Sequence, residues 1–287
     1  MLWLGLSLLT ALAVAIRDVS VKYFKDLPPL EIAAIELFWS LPALGAGLYL
    51  TPIPLLNSDF WWAFLLSLPL NWLAYALYLY AIKGSPLSLS IPFLSFTPVF
   101  MIATGFLVLG ERVNGWGGCG TLLIVIGGYV LYLKDARYGW AEPFKSFYRE
   151  KGSRLMFMVA FVFSLAAVYG KQGIINSSPL FFMYSFFIVF NLTFLAGLLW
   201  RGHSSLKKIW HQRQKGIWLG TLLVTHLSCH GLAIAITTAA YMIAVKRSSI
   251  LIAVLLSWLV LKEKDLATRG PGALLMFAGV LLITLYG

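Results

Sequence analysis

Apolar stretches of about 20 residues recur along the whole chain and restrict what it can fold into. A helix needs about 20 apolar residues to cross the hydrocarbon layer of a bilayer. Of the 287 residues, 60% are hydrophobic and only 11% are charged, a composition that soluble domains do not normally have. We therefore predict an all-α integral membrane protein with ten transmembrane helices. The predicted spans are 2–24, 30–50, 60–82, 86–109, 116–134, 155–175, 180–200, 216–236, 237–261 and 270–286.

Half of the basic residues lie in two connections between these spans. Of the 22 Lys and Arg, 11 fall within 134–154 and 201–215. Because cytoplasmic loops of membrane proteins are enriched in Lys and Arg, we expect both connections to face the cytoplasm and both termini to face the opposite side. The net charge of +11 then reflects orientation against anionic membrane lipids, so we expect no nucleic-acid partner.

The sequence has no arrangement of residues that is typical of an enzyme or a metal protein. Cys119 and Cys229 both lie inside apolar stretches, so we expect neither a disulfide framework nor a thiolate metal site. A glycine-rich phosphate loop ending in Gly-Lys-Ser/Thr is absent from the sequence, which argues against an ATP-driven pump. We predict no catalytic residue, no cofactor and no metal.

The second half of the chain repeats part of the first. Segment 104–133 superposes on 256–285 without a gap, and Glu111 then matches Glu263. We interpret both glutamates as structural, and the matched glycines as positions of close helix packing. The matched glycines are Gly118 with Gly270, Gly120 with Gly272, and Gly127 with Gly279.

This repeat predicts two five-helix units, 1–135 and 154–287, joined by the basic loop 136–153. Because five is odd, the second unit enters the membrane inverted relative to the first. Inverted repeats imply a pseudo-two-fold axis in the membrane plane and a site near the midplane between the units.

Charged residues inside the predicted spans are the first candidates for this site, since each costs about 2.5–3.5 kcal/mol at the bilayer centre. Lys246 and Arg247 fall well inside the ninth span. An arginine fork suits a carboxylate or phosphate, so Arg247 is our first candidate for binding an anionic group. The alternative is a structural ion pair with Glu36 or Asp18.

Further charged candidates lie in the first, second and sixth spans. Arg17 is a candidate substrate contact, whereas Asp18 and Lys22 have the spacing of a local helical ion pair. If Asp18 or Glu36 instead faces the cavity alone, it becomes a candidate for proton coupling. Lys171 lies near the repeat equivalent of Asp18 and is a further candidate by symmetry.

Polar and aromatic residues complete the candidate site. His226 and His230 stand four residues apart in the eighth span, but HLSCH lacks the acid of an HExxH motif, so we expect hydrogen bonding or cavity lining rather than zinc chemistry. Packing alone also explains such Trp and Tyr residues. The other candidates are Asn71, Trp72 and Tyr75 in the third span and Tyr241 in the ninth.

Two spans carry signals for an interruption. Pro92 and Pro98 fall inside the fourth span, where either a kink or a break that frees backbone carbonyls is compatible with them. Only Thr237 and Thr238 separate the eighth and ninth spans.

The chain resembles the EamA branch of the drug/metabolite transporter superfamily. The resemblance is carried by TPVFMIATGFLVLGER (97–112), with glycines beginning the next helix, and by AAYMIAVKRSSILIAVLLSWLVLKEK (239–264). It implies a secondary transporter, often an exporter, with a cavity lined by helices one, three, four, six, eight and nine. It also implies cytoplasmic termini, opposite to the charge count, and an Arg in helix two where this chain has Glu31 and Glu36.

Together these features predict a secondary transporter, in the exporting direction, of a small anionic or zwitterionic metabolite such as an amino acid. We expect a multi-pass protein of a bacterial or archaeal cytoplasmic membrane, in contact with lipids, as a monomer or homodimer. The alternative is a flippase for a lipid-linked phosphate, which would bind the head group with the same Lys246 and Arg247. The discriminating feature is whether these residues face a central cavity or a cleft open to lipid.

Overall fold

The structure is a computed structural model that describes residues 1–24, 27–84, 87–133, 142–202, 204–261 and 266–287. These residues form α-helices and contain no β-strand. The helices are α1 Leu2–Tyr23, α2 Pro29–Leu50, α3 Ser58–Gly84, α4 Leu87–Leu94, α5 Thr97–Leu109, α6 Gly115–Leu133, α7 Glu142–Arg149, α8 Lys151–Ile175, α9 Pro179–Trp200, α10 Leu206–His211, α11 Arg213–Ala235, α12 Ala239–Lys246, α13 Ser249–Leu261 and α14 Leu266–Tyr286.

Eight helical segments in this part of the chain are long and apolar enough to cross a membrane. They occupy the first four predicted spans and the sixth to ninth. Two shorter apolar helices, Gly115–Leu131 and Gly270–Tyr286, occupy the fifth and tenth. The all-helical membrane architecture is confirmed, and the count of ten crossings stays a prediction.

Proline and glycine mark several helix ends. Pro29 and Pro179 begin α2 and α9, where the missing N–H and fixed φ of proline suit the first helical turn. Gly110 ends α5 with φ of 68°, and its N–H donates to the carbonyls of Gly105 and Phe106. A residue with a side chain would be strained in this left-handed conformation.

The fourth and ninth spans are each broken into two helices. The first break, between α4 and α5, lies between Pro92 and Pro98, as the prolines indicated. The second break separates α12 from α13 and contains no proline. Lys246 and Arg247, which we expected well inside a continuous helix, instead stand at this break, with Lys246 as the last residue of α12.

The sequence repeat has a counterpart in the helix bounds. Helices α12 and α13 begin and end at the positions that the sequence repeat pairs with the ends of α4 and α5, and α9 has the same length as α2. The two broken spans are therefore equivalent positions of the repeat. The unit boundaries at 135 and 136 lie outside the described residues, so the division into units stays a prediction.

Two glycine pairs hold α6 against α14. A Cβ at Gly127 would lie 2.6 Å from the carbonyl oxygen of Gly272, and a Cβ at Gly120 would lie 2.8 Å from that of Gly279. The sequence repeat matches Gly120 with Gly272 and Gly127 with Gly279, so it converts one contact into the other. The contact that comes first along α6 comes last along α14. An antiparallel pair with reciprocal contacts surrounds a two-fold axis perpendicular to the helices, which is the arrangement that inverted repeats predict.

The other matched pair of glycines does not pack helices together. Gly270 has no neighbouring atom within 4 Å of its Cβ position, and Gly118 has only Val113, at 3.9 Å. For these two residues the packing interpretation is wrong, because neither faces the α6–α14 contact. Glu263 lies outside the described residues.

Because consecutive spans alternate in direction, the connections fall at two ends of the bundle. We call the end with Met1 and Gly287 the termini end, and the end with α7 and α10 the basic end. At the termini end, the amide of Asn57 donates to Asn176 at 2.9 Å. At the basic end, α10 packs on α2, and Trp39 Nε1 donates to the carbonyl oxygen of Ile209 at 3.2 Å.

Candidate functional site

Two adjoining cavities lie in the middle of the bundle, between helices of both halves. Their volumes are about 300 Å³ and about 360 Å³. The first extends towards the termini end and the second towards the basic end. Both are bounded at their junction by the same five residues. These are Val14, Phe163, Phe187, His226 and Lys246.

Lys246 occupies the junction, at the end of α12. It lines both cavities and is half-buried. Among the residues that the structure describes, none forms a hydrogen bond or ion pair with its ammonium group; Arg247 and Asp18 act on it electrostatically. Because an ammonium group inside a membrane is expensive, this position favours an anion in the cavity.

Arg247 lines the first cavity, yet part of its guanidinium is used by the protein. Nη2 donates to the carbonyl oxygen of Leu94 and to Thr97 Oγ1, both at 3.1 Å. These acceptors belong to the break between α4 and α5. Arg247 therefore joins the two broken spans, and Lys246 replaces it as the first candidate for contact with the anionic group.

Arg17 forms a network with two carboxylates beside the second cavity. Its Nε donates to Glu36 Oε1 at 2.9 Å and its Nη2 to Oε2 at 2.7 Å. Nη1 donates to Asp18 at 3.1 Å. Such a bidentate pair fixes the geometry of both side chains. Since Arg17 binds both acids, neither carboxylate faces the cavity alone, which was the condition for a proton-coupling role.

Several buried polar atoms around the cavities have no hydrogen-bond partner among the residues that the structure describes. They are Nε2 of His226, Nδ1 of His230, Oγ of Ser67 and Oδ1 of Asn191. The two imidazole rings are 5.9 Å apart, and no group of three or more metal-ligating residues occurs in the described part of the chain. Unsatisfied buried polar atoms are rare, so this cluster indicates a place for a ligand or water.

Ser67 and Asn191 were missing from the predicted site. Asn191 is a single amide in the apolar seventh span, and that isolation is the signal that could have identified it. Its Nδ2 donates to Ser40 Oγ at 2.9 Å, which leaves its oxygen unused. Ser67 had no such signal, because serine is common in membrane helices.

The remaining residues of the third span divide between cavity and packing. Asn71 lines the first cavity, where its amide donates to the carbonyl oxygen of Ser67 at 2.8 Å. Tyr75 lines the second cavity with its ring edge-on to Phe194. Trp72 lines neither cavity and packs against Phe194 at 5.5 Å between ring centroids.

Tyr241 is not brought to the site either. It lies at the start of α12, and its ring fills the space above Gly117. Its hydroxyl donates to Asn114 Oδ1 at 3.5 Å. The first turn of α12 thus packs against α6, and only its last turn reaches the cavities.

Lys171 lies where the first cavity approaches the termini end. Its ammonium group donates to Glu111 and to the carbonyl oxygen of Thr237. The other oxygen of Glu111 accepts the N–H of Ala239, the first residue of α12, at 2.9 Å. Glu111 therefore connects α5 to both α8 and α12, which agrees with its structural interpretation.

The two ends of the cavities differ in polarity. At the termini end, aromatic rings close the first cavity, among them Phe60, Phe64, Phe181, Phe182 and Phe186, with centroid distances of 5.3–6.2 Å. When the equally long helices α2 and α9 are aligned end to end, Phe181 and Phe186 correspond to Glu31 and Glu36 at the basic end. The side chains of Arg17 and Asp18 are 40% and 49% exposed, against 7% for Lys171.

A bundle of apolar helices in two repeats, with cavities between them that contain a few buried charged and polar side chains, has the architecture of a membrane transporter. The sequence profile of the EamA-like transporter family matches residues 1–133 and 150–285. The chain belongs to this family. It is a multi-pass integral membrane protein and a transporter of the drug/metabolite transporter superfamily, so the predicted family is confirmed.

Comparison of folds leads to the same architecture. A solved structure described as "Crystal structure of protein" superposes with a TM-score of 0.77, covering 99% of this chain and 96% of that chain at 12% identity. At this identity the likeness concerns the fold alone. No curated protein matches the sequence.

Proposed function

We propose that this transporter is a secondary transporter of a small organic solute with an anionic group. The solute is an anionic or zwitterionic metabolite such as an amino acid, and ten spans in two inverted units move it outward by alternating access. The observation that carries the proposal is Lys246, whose ammonium group stands at the junction of both cavities without an ion pair in the described part of the chain.

Two other cations beside the cavities have carboxylate partners, in contrast to Lys246 in the described part of the chain. Arg17 is neutralised by Glu36 at 2.7 Å, and Lys171 by Glu111. A charge at the bilayer centre costs at least about 2.5–3.5 kcal/mol on insertion scales. Binding an anion beside Lys246 offsets this cost, and the anion loses less on leaving water than it would beside apolar walls.

The rest of the lining supports an organic body attached to the anionic group. The aromatic side chains of Phe163, Phe186 and Phe187 form apolar walls, while His226 and His230 carry unpartnered nitrogens. A volume of about 300 Å³ is at the small end of ligand sites. These features favour a small metabolite with hydrogen-bonding groups.

Lipid-linked phosphate is the less favoured substrate. The helices that contribute lining residues, among them α1, α3, α8, α9, α11 and α12, come from both halves and surround the cavities. This arrangement supports a central route for a water-soluble solute. A flippase needs a lateral opening through which the lipid tail stays in the bilayer.

The decisive experiment measures flux in proteoliposomes. A thermal-shift screen over amino acids, organic acids and sugar phosphates first identifies a stabilising solute. We expect Lys246→Gln to abolish its flux and Lys246→Arg to retain part of it, because only arginine keeps the positive charge. The matched control is Lys207→Gln, at an exposed position of α10. We expect this variant to transport normally. Wild-type flux in Lys246→Gln would contradict the proposal, and transport of lipid-linked phosphate alone would favour a flippase.

The remaining predictions belong to the same proposal. The apolar helices support a place in a membrane. We propose that this is a bacterial or archaeal cytoplasmic membrane, and that the protein functions there as a monomer or homodimer among lipids. Light scattering of the purified protein in detergent measures the subunit number, and a trimer or larger ring would contradict this prediction.

A further inference from the structure

We propose that Lys171 is a second anion-binding position, and that the Glu111–Lys171 pair is a latch which the anionic group of the substrate releases. This inference rests on the proposed transport function and deepens it. The carboxylate of Glu111 then holds the termini end closed, and the anionic group of the substrate opens it.

The latch joins three parts of the fold at one carboxylate. Glu111 follows the last turn of α5, Lys171 belongs to α8, and Thr237 and Ala239 lie in the connection to α12 and at its start. Loss of the contacts of Glu111 therefore removes the side-chain links between the end of α5 and both other elements at once. Lys171 is only 6% exposed. An anion from bulk solvent therefore does not reach its ammonium group while the termini end is closed.

The latch also forms the inner boundary of the closed end. Lys171 lines the first cavity, next to the aromatic closure that includes Phe182 and Phe186. On the outer side, Asn57 donates to Asn176 at 2.9 Å. Lys171 and the aromatic rings therefore line the same end of the cavity.

The two lysines define a route for an anion along α12. Ala239 at the start of the helix binds Glu111, and Lys246 at its end occupies the cavity junction. The seven residue steps from Ala239 to Lys246 correspond to roughly 10 Å at the helical rise of 1.5 Å per residue. A substrate anion that leaves Lys246 towards the termini end meets Lys171 as the next cation.

Exchange at Lys171 conserves hydrogen bonding. Glu111 accepts one bond from Lys171 and one from the N–H of Ala239. An incoming carboxylate or phosphate offers the same type of oxygen acceptor to both donors, so the buried ammonium never lacks a counter-ion. A neutral solute cannot make this exchange. The latch therefore couples opening of the termini end to the negative charge of the substrate.

A thiol reporter tests the latch without any knowledge of the substrate. The reporter is Ala167→Cys, one helical turn from Lys171 on the cavity wall, in a chain carrying Cys119→Ser and Cys229→Ser. A membrane-impermeant thiol reagent is applied to vesicles from the side of the termini end. We expect Glu111→Gln to increase the labelling rate at least about tenfold, equivalent to about 1.4 kcal/mol in the opening equilibrium.

Two further variants make this result specific. Glu31→Gln, which removes the carboxylate paired with Lys208 at 3.6 Å at the basic end, is the matched control and should label at the parent rate. Lys171→Gln removes the other partner and should also label faster. Labelling at the parent rate in both latch variants, with the protein folded by size-exclusion chromatography, would overturn the latch.

Acetate and acetamide test the exchange step. Acetate is a minimal carboxylate probe, and acetamide is its neutral counterpart. We expect acetate to accelerate labelling of the parent chain from the termini end at constant ionic strength. Acetamide should have no effect, and acetate should add nothing in Glu111→Gln. Equal effects of the two probes would overturn the anion exchange.

The flux assay tests the proposed function and the labelling assay tests the latch, so each hypothesis can fail while the other holds. Absence of solute flux in the wild-type protein would contradict the proposed function. Faster labelling of Glu111→Gln would in that case still support the latch. Conversely, normal flux with unchanged labelling in the latch variants would retain the proposed function and remove the latch.

Discussion

Individual charges inside this bundle differ mainly in their partners. Arg17 has two carboxylates and Lys171 has one, whereas Arg247 donates to the carbonyl of Leu94 and to Thr97. Lys246 has no such contact in the described part of the chain. The sequence identified all four positions as places where a charge inside the bilayer is energetically costly. Only the tertiary contacts distinguish a structural cation from one that is available to a substrate.

The Arg17–Glu36 pair provides a prediction about stability. Glu36 is 3% exposed, so Glu36→Gln leaves the guanidinium without its bidentate partner. We expect this variant to lose about 1–3 kcal/mol of stability, less than a fully buried pair because Arg17 is 40% exposed. Thermal unfolding in detergent measures the loss.

A double-mutant cycle checks that the effect belongs to the pair. Arg17→Met with Glu36→Met should cost less than the sum of the two single variants, because neither Arg17 nor Glu36 is then left without the other. Strict additivity of the two single effects would show that the side chains act separately.

At the scale of elements, the two broken spans and the glycine contact define the framework. The break in the fourth span leaves the carbonyl of Leu94 without a helical donor, and Thr97 Oγ1 and Arg247 Nη2 both donate to it. The break in the ninth span places Lys246 and Arg247 at its edge. The break in the fourth span thus provides hydrogen-bond acceptors, and the break in the ninth span provides the donor, Arg247.

Arg247→Ala should therefore affect structure as well as transport. It removes the donor to Leu94 and Thr97, and we expect a loss of about 1–3 kcal/mol together with reduced flux. Lys246→Gln should abolish flux without this loss of stability. Thermal unfolding and proteoliposome flux of the two variants decide the assignment. An Arg247→Ala protein of wild-type stability without flux would return Arg247 to the substrate site.

The α6–α14 contact supports a matched pair of glycine substitutions. Gly127→Ala places a methyl group 2.6 Å from the carbonyl oxygen of Gly272, so we expect the helices to separate at a cost of about 1–3 kcal/mol. Gly270→Ala, with open space around its Cβ position, should be neutral or stabilising. Equal melting temperatures for the two variants would contradict the glycine contact.

The whole molecule has one apolar, latched end and one charged end. When α2 and α9 are aligned end to end, phenylalanines at the termini end correspond to Glu31 and Glu36 at the basic end. Lys171 at the termini end is buried, whereas the side chains of Arg17 and Asp18 towards the basic end are 40% and 49% exposed. Inverted repeats give alternating access when the two halves exchange these environments.

The orientation of these ends in the membrane is testable with two single cysteines in a chain without native cysteines. The charge count predicts that Tyr148→Cys on α7, 81% exposed, is labelled from the cytoplasm. Leu55→Cys in the connection after α2, 100% exposed, should be labelled only from the opposite side. The reverse pattern would favour the cytoplasmic termini that the EamA resemblance implies.

Much of the framework was predictable because lipid imposes a simple rule. Helices must satisfy their own backbone groups in a bilayer, so apolar length alone located the spans, and proline indicated the first break. The sequence repeat predicted the equivalence of α4–α5 with α12–α13. The residues at the second break do not indicate it, because they include no proline or glycine, and only the repeat relation to the first break points to it. The position of Tyr241 beside Gly117 was not predictable, since helix rotation depends on packing.

The sequence by itself determined the helical membrane architecture, the repeat, the family and the identity of the costly charges. These follow from hydropathy and spacing, which act locally along the chain. Only the tertiary structure decided which charges are neutralised, because Arg17 with Glu36 and Lys171 with Glu111 pair across 19 and 60 residues. Electrostatic compensation depends on distance in space, and that distance left Lys246 as the cation at the centre of the cavities.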